Sequence, residues 1–290
     1  MNELHILNAG RADCIVMLLD TPQERKCVVL DAGGCTYQGK MPLLTFLRNK
    51  DIREVDLAIL THLHQDHFGG FHQLIGQIPV KNLLTPCGDL VFDQRVYPLF
   101  GDQEYYREYH QIFSFLTDCR TELYFPEDYA GNAFFFGDCV LQCLYAKKSK
   151  EMESVLCAKL LCDSGLSDDK IAQLLERHKQ ACNADSSIWA LRRGEEVIAL
   201  LGGDSTDRNM QLALGRVGTF HPMVQKLSHH GLGDIYFSVE TQARLKPATL
   251  VVSTDSTHCD ETVQERMSAL CKAGNSKLHY TYNGDFSLIF

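Results

Sequence analysis

The stretch Thr61-His62-Leu63-His64-Gln65-Asp66-His67-Phe68-Gly69-Gly70 determines how this chain is interpreted. It follows residues 56–60, a short apolar run that is typical of a buried strand, and it is predicted to open a helix. Three histidines and one aspartate lie close together here, where an unpaired buried polar group would be costly. The stretch therefore predicts a metal site at a strand-to-helix junction.

The spacing within this stretch indicates which side chains can share an ion. Side chains alternate along an extended chain, so His62 and His64 point to the same side and can bind one metal at about 2 Å. As the chain turns into the helix, Asp66 and His67 swing away from that pair. They can then bind a second ion, about 3.5–4 Å from the first.

On both sides of this stretch, predicted strands and helices alternate. Strands are predicted over residues 4–7, 14–19, 27–30, 56–60, 188–191, 197–201, 224–227, 250–253 and 277–280. Helices are predicted over 41–49, 104–116, 207–214, 238–245 and 261–271, with two more between 151 and 182. Tyr-Asn-Gly at 282–284 predicts a hairpin into a last strand. The pattern predicts one α/β domain over residues 1–290, with an elaboration at 86–182.

Composition narrows the possible function classes. The 290 residues are 45% hydrophobic and 22% charged, which is an ordinary globular composition. The formal net charge of −9 argues against binding nucleic acid by charge alone. Twelve cysteines without a C-x-x-C pair predict reduced, mostly buried thiols. The amino terminus lacks a signal-peptide pattern and no apolar run is long enough to span a bilayer, so we expect a cytoplasmic protein without membrane contact.

The histidine stretch resembles the signature motif of the metallo-β-lactamase superfamily. Leu30-Asp31-Ala32-Gly33-Gly34 is similar to the family's first motif, whose aspartate supports the site from behind. Residues 198–204 are similar to the strand that delivers the bridging aspartate, and 226–231 to the strand end that presents the last histidine. The resemblance implies a four-layer αβ/βα sandwich and two divalent metal ions, with zinc as the first expectation and manganese as the alternative. The implied metal ligands are His62, His64, Asp66, His67, Asp204 and His229.

Within the superfamily, the chain most resembles the hydrolase domain of DNA-uptake competence proteins. The opening residues 6–14, the His-His-Gly element and the closing Tyr282-Asn283-Gly284-Asp285 are similar to that branch, and the resemblance covers residues 3–85 and 186–290. Leu232 departs from the branch, which usually has a small hydroxyl residue there. The superfamily's third histidine ligand of the first metal has no clear equivalent. Asp185, Asn183 and His178 remain open alternatives, as does His230 in place of His229.

The resemblance implies a phosphodiesterase or nuclease whose substrate is nucleic acid or a nucleotide. Two nearby cations lower the pKa of a shared water and yield a metal-bridging hydroxide near neutral pH. Asp66 is then expected to orient that hydroxide, and His258 to act as general acid or phosphate contact. Two alternatives remain: a hydrolase of lactones, thioesters or amides, and a catalytically degenerate metal-binding module of a larger assembly.

Overall fold

Two seven-stranded sheets form the framework of the computed structural model, which describes residues 1–100, 105–218 and 220–290. From edge to edge, the first sheet contains β14 (Phe286–Ile289), β1 (Glu3–Ile6), β2 (Cys14–Asp20), β3 (Arg25–Ala32), β4 (Leu57–Ile59), β5 (Asn82–Leu84) and β6 (Glu122–Tyr124). The second contains β13 (Lys277–Tyr280), β12 (Thr249–Val252), β11 (Val224–Lys226), β10 (Glu196–Leu201), β9 (Ile188–Arg193), β8 (Cys139–Tyr145) and β7 (Ala133–Phe136).

Helices cover the outer faces of both sheets. They are α1 (Pro42–Asn49), α2 (Gln65–Phe68), α3 (Tyr105–Asp118), α4 (Pro126–Tyr129), α5 (Glu153–Leu160), α6 (Asp168–Cys182), α7 (Asp207–Val217), α8 (Val239–Leu245) and α9 (Glu261–Gly274). Apolar residues of α1, α3, α5 and α6 pack on the first sheet, and those of α7, α8 and α9 pack on the second. The predicted helix at 104–116 corresponds to α3, although Glu104 lies outside the described residues.

Strand β2 shows how the sequence produces the layers. Ile15 and Met17 point into the core between the two sheets, where they meet residues of the second sheet such as Trp189. Val16 and Leu18 point to the opposite face and pack under the outer helices. A continuous apolar run is required because this strand is buried on both faces. The predicted four-layer αβ/βα sandwich is confirmed.

The predicted carboxy-terminal hairpin is wrong. Strand β13 pairs in parallel with β12 in the second sheet, whereas β14 pairs antiparallel with β1 in the first. Residues 281–283 form a 3₁₀ turn, and Gly284 adopts φ +130° as the chain passes from one sheet to the other. The turn residues therefore mark a change of direction, but the strands on its two sides are not partners.

Residues 86–182 contribute to both sheets and to the outer helical layer. They supply three edge-side strands, β6, β7 and β8, that the sequence interpretation had not placed. The two helices predicted between 151 and 182 are α5 and α6, and Ser167 caps α6 by accepting a hydrogen bond from the Lys170 amide.

All twelve cysteines are free thiols and eight of them are buried, as the sequence predicted. None of the helices in the described ranges combines the length and the apolar character that a bilayer crossing requires.

Close backbone packing fixes the turn that follows α2. Gly70 donates its amide hydrogen to the Gly33 carbonyl at 2.7 Å. A Cβ atom at Gly70 would overlap the carbonyl group of Ala32 at the end of β3. Only glycine allows this approach, which presses the turn after α2 against the first sheet.

We predict that Gly70→Ala destabilises the protein by about 1–3 kcal/mol, because backbone must move to admit the methyl group. Gly215→Ala is the matched control, since Gly215 lies exposed in α7 with no atom near its would-be Cβ. Alanine there should raise the free energy of unfolding by about 0.5–1 kcal/mol. Denaturant unfolding measures both, and equal effects of the two substitutions would contradict the packing described for Gly70.

Candidate metal centre

The candidate centre lies at the carboxyl ends of strands from both sheets. His62 and His64 follow β4, and His64 is extended (φ −104°, ψ 145°) just before α2 begins. Asp204 follows β10 of the facing sheet, and His230 follows β11. Strands β3–β4 and β10–β11 are parallel pairs, so their carboxyl ends bring these loops to one edge of the sandwich.

A first cluster contains His62, His64 and Asp204. His62 Nε2 lies 3.1 Å from His64 Nδ1 and 3.9 Å from Asp204 Oδ2. Atoms that ligate one ion at about 2 Å can be at most about 4 Å apart. The three side chains therefore fit a single divalent cation.

A second cluster contains Asp66, His67, Asp204 and His230. His67 Nε2 lies 3.4 Å from Asp204 Oδ2, and His230 Nε2 lies 3.1 Å from Asp66 Oδ2 and 3.7 Å from Asp204 Oδ2. His67 Nε2 is buried without a hydrogen-bond partner among the described residues, as expected of a ligand atom. Asp204 Oδ2 faces both clusters and is the atom that could bridge two ions.

The last histidine differs from the sequence expectation, because the structure places His230 in the cluster and His229 outside it. Both residues have left-handed backbones (φ 51° and 56°), so their side chains diverge. The His229 ring stacks on Tyr236 at 3.9 Å between centroids and donates through Nδ1 to the Leu232 carbonyl at 2.8 Å. Its backbone amide nevertheless donates to Asp204 Oδ1 at 3.1 Å.

Asp31 orients two histidines from behind, and it is fully buried. Its Oδ2 accepts hydrogen bonds from His67 Nδ1 and from the Thr61 hydroxyl, both at 2.7 Å. Its Oδ1 accepts from the Thr61 amide at 2.9 Å. Because the Thr61 hydroxyl hydrogen is used, His62 Nδ1 donates to Thr61 Oγ1 at 3.1 Å. Both rings are thus left with Nε2 facing the centre.

Burial and charge set the pKa values at the centre. Burial lowers the pKa of His62 and His64, so their ring nitrogens are available as neutral ligands. Burial opposes the charged forms of His67 and His230 as well, but Asp204 and other carboxylates outweigh it. They raise the pKa of His67 well above its usual value and that of His230 to about 9. Burial alone would raise the pKa of Asp204, yet these two histidines hold it well below normal.

The three alternatives for a third ligand of the first ion have different surroundings. Asp185 binds Lys147 at 2.6 Å and the Ser154 hydroxyl at 2.6 Å, which commits both carboxylate oxygens. His178 donates to the Ser154 carbonyl at 2.8 Å inside the helical layer. Asn183 is buried and donates to the Tyr236 hydroxyl at 2.9 Å, while its Oδ1 has no hydrogen-bond partner in the described part of the chain. Asn183 alone offers an uncommitted oxygen.

His258 lies in the loop after β12, in a 3₁₀ turn over Ser256–His258. Its Nδ1 is 2.8 Å from Asp255 Oδ1, and 40% of its side chain is exposed. The nearest connection to the centre is Ser253 of the same loop, whose carbonyl accepts a hydrogen bond from His230 Nδ1 at 2.9 Å. The role of His258 as general acid remains a prediction.

Sequence reasoning missed two buried charges behind the centre, Asp13 and Lys226. They form an ion pair with each other, and both side chains are fully buried. Both residues lie inside motifs that carry the family resemblance. The available signal was a charged residue at a strand end directly before an apolar residue, Cys14 or Leu227; a charge in such a place is rarely buried unless it is paired.

Comparison with known proteins relates the fold to that of metallo-hydrolases. The family model described as "Metallo-beta-lactamase superfamily" matches residues 9–86. The matched stretch contains two of the motifs that resemble the superfamily, residues 30–34 and 61–70. Igni18, described as a novel metallo hydrolase from the archaeon Ignicoccus hospitalis KIN4/I, shares the fold over 100% of both chains, with a TM-score of 0.52 and 13% identity.

Two curated relatives match part of the chain. ComE operon protein 3 of Bacillus subtilis (strain 168) is 31% identical over 100 residues, which cover 30% of this chain and 13% of that protein. Hydroxyacylglutathione hydrolase of Aliivibrio fischeri (strain MJ11) is 35% identical over 63 residues, which cover 22% of this chain and 23% of that protein. The matches thus span less than a quarter of either relative.

We predict that Asp31→Asn lowers the free energy of unfolding by about 1–3 kcal/mol, because the new amide group would face two donors at a buried position. Asp51→Asn is the matched control. Asp51 has the same left-handed backbone (φ 54° against 55°) but is exposed, so asparagine should be neutral there. Denaturant unfolding of metal-free protein measures both. Equal stability of Asp31→Asn and the unsubstituted protein would refute the role given to Asp31.

Proposed function

We propose that this protein is a phosphodiesterase or nuclease that uses two divalent cations, zinc or manganese, in a cytoplasmic setting. The observation that carries the proposal is the position of Asp204 Oδ2, which faces the histidines of both clusters. A single oxygen shared in this way suits two ions at the short separation typical of two-metal hydrolases. The motif resemblance to the competence-protein branch supports a phosphodiester substrate, nucleic acid or nucleotide.

His62 and His64 would hold the first ion, with Asn183 as the candidate for its third protein ligand. Asp66, His67 and His230 would hold the second, and Asp204 would join the two. When bound, such ions activate water and stabilise the negative charge that develops on a substrate.

Asp66 is also placed to orient the attacking water. It is the one carboxylate of the second cluster with substantial exposure, 34% of the side chain, and Oδ2 already contacts His230. Burial alone would raise its pKa, but His67 and His230 keep it below the normal value, so the group stays ionised. An ionised carboxylate at the mouth of the centre can accept a hydrogen bond from the attacking water and orient it.

A second candidate function is the hydrolysis of a thioester or another carbonyl substrate. The partial match to a hydroxyacylglutathione hydrolase favours it. The same centre would then polarise a carbonyl oxygen in place of a phosphoryl oxygen. The two functions make different demands on the substrate pocket, so a direct comparison of substrates decides between them.

We predict that zinc- or manganese-loaded protein hydrolyses bis-(p-nitrophenyl) phosphate faster than a chromogenic lactone or thioester. Asp204→Ala should reduce phosphodiester turnover by roughly 10²–10³-fold or more, because the bridging oxygen is lost. Asp118→Ala, at an exposed carboxylate that ends α3, is the control and should keep full turnover. Preference for the lactone or thioester would support the second candidate. Full phosphodiester turnover in Asp204→Ala would reject the assigned centre.

We predict that His230→Ala binds one divalent ion fewer per chain than the unsubstituted protein, whereas His229→Ala keeps the full number. The reason is that only the His230 ring belongs to a cluster, while the His229 ring is turned toward Tyr236. Elemental analysis after loading and desalting measures the ratio of metal to protein. The opposite pattern, with loss only in His229→Ala, would restore the ligand set that the sequence motif implied.

A further inference from the structure

A lysine is buried directly behind the candidate centre. Lys226 ends β11, and its side chain is fully shielded from solvent. Its ammonium group pairs with Asp13 Oδ2, donates to the Gly203 carbonyl at 3.2 Å and lies 3.7 Å from Asp204 Oδ1. The lysine ammonium therefore stands beside the carboxylate that both clusters share.

Its partner Asp13 contacts the other side of the second cluster. Asp13 Oδ1 lies 3.4 Å from His230 Nδ1, and Oδ2 lies 3.8 Å from His67 Nδ1. The Asp13 amide also donates to the Asp66 carbonyl at 3.0 Å. Asp13 therefore touches three residues of the cluster from the face opposite to the ligand atoms.

The two oxygens of Asp204 have different surroundings because of this arrangement. Oδ1 accepts from the His229 amide at 3.1 Å and faces the Lys226 ammonium. Oδ2 is left facing His62, His67 and His230. The lysine thus attracts one oxygen and leaves the other free to bridge.

A buried ion pair contributes little net stability, because desolvation offsets the attraction between its charges. An apolar pair of the same volume would fill this space at least as well. Because Lys226 lies beside Asp204, its charge can act on the candidate metal centre, which an apolar residue could not do.

We propose that Lys226 is a charge-balancing residue that holds the affinity of the centre for divalent cations below what its carboxylates alone would give. The proposal rests on the metal centre of the proposed function. Four buried or partly buried carboxylates, Asp13, Asp31, Asp66 and Asp204, surround the histidines. The Lys226 ammonium offsets one of these negative charges. It also repels a cation bound a few ångströms away, because charges interact strongly in a buried site of low dielectric.

The sign of the effect can be worked out from charge. Binding of two divalent ions adds positive charge to the centre, and a fixed cation nearby repels that charge. Removing a fixed cation therefore favours the loaded state over the metal-free state. Removing the Asp13 carboxylate should disfavour the loaded state. Removing both charges should leave the metal affinity near its starting value.

The test measures zinc affinity by competition with a chromophoric chelator at one fixed pH. We expect Lys226→Met to bind zinc about tenfold more tightly or better, and Asp13→Asn about tenfold more weakly. The double variant should stay within about threefold of the unsubstituted protein. Gln225→Met is the matched control, since this buried neighbour on β11 alternates to the other face of the strand and should leave affinity unchanged.

The melting temperature of metal-free protein gives a second readout, and Lys226→Met should lower it because Asp13 is left unpaired. A purely structural role predicts that every variant of the pair binds zinc more weakly, so equal or weaker binding by Lys226→Met overturns the proposal. If Lys226→Met does not fold without metal, Asp13→Asn and the double variant decide: a double variant that binds no better than Asp13→Asn overturns it. Zinc binding without phosphodiester turnover would reject the proposed function but leave this inference intact.

Discussion

The two carboxylate oxygens of Asp204 face different partners, and the rest of the centre depends on this division. Its Oδ1 is held by the His229 amide and faces Lys226, while Oδ2 points to histidines that come from the other half of the chain. A buried carboxylate is tolerated only when cations or donors compensate it. The carboxylate that follows β10 of the second sheet is therefore compensated in part by histidines that follow β4 of the first sheet.

Backbone geometry makes that meeting possible, because several strand ends turn through the left-handed region. Gly203, directly before Asp204, has φ +51°, and a Cβ atom there would lie 2.5 Å from Thr61 Oγ1. Asp31, His229 and His230 have similar positive φ values although they carry side chains. Such conformations cost about 1–2 kcal/mol each and persist where surrounding contacts fix them. Here the contacts are the hydrogen bonds of the centre itself, so the geometry of the centre and the backbone conformation of these strand ends stabilise each other.

Local sequence patterns predicted most of the framework and the histidine clusters. The continuous apolar run of β2, the Ser167 cap of α6 and the two-residue spacing of His62 and His64 are properties of neighbouring residues. The placement of strands β6, β7 and β8 and the pairing of β14 with β1 depend on residues distant in sequence. The choice between His229 and His230 depends on backbone angles that a motif does not encode. Lys226 lies within a sequence motif, but only its burial against Asp13 indicates that its charge acts on the centre.

Contacts from the elaboration reach the centre through α2. Tyr109 of α3 packs edge-on against Phe68, with ring centroids 5.1 Å apart, and Gln65 donates to Glu108 at 2.6 Å. These contacts hold both ends of the short helix that carries Asp66 and His67, so the outer helical layer positions the second cluster. His62 of the first cluster is instead held by the Thr61 hydroxyl, which Asp31 of β3 fixes in place. Changes in residues 86–182 should therefore act on the exposed Asp66 side of the centre more than on His62 and His64.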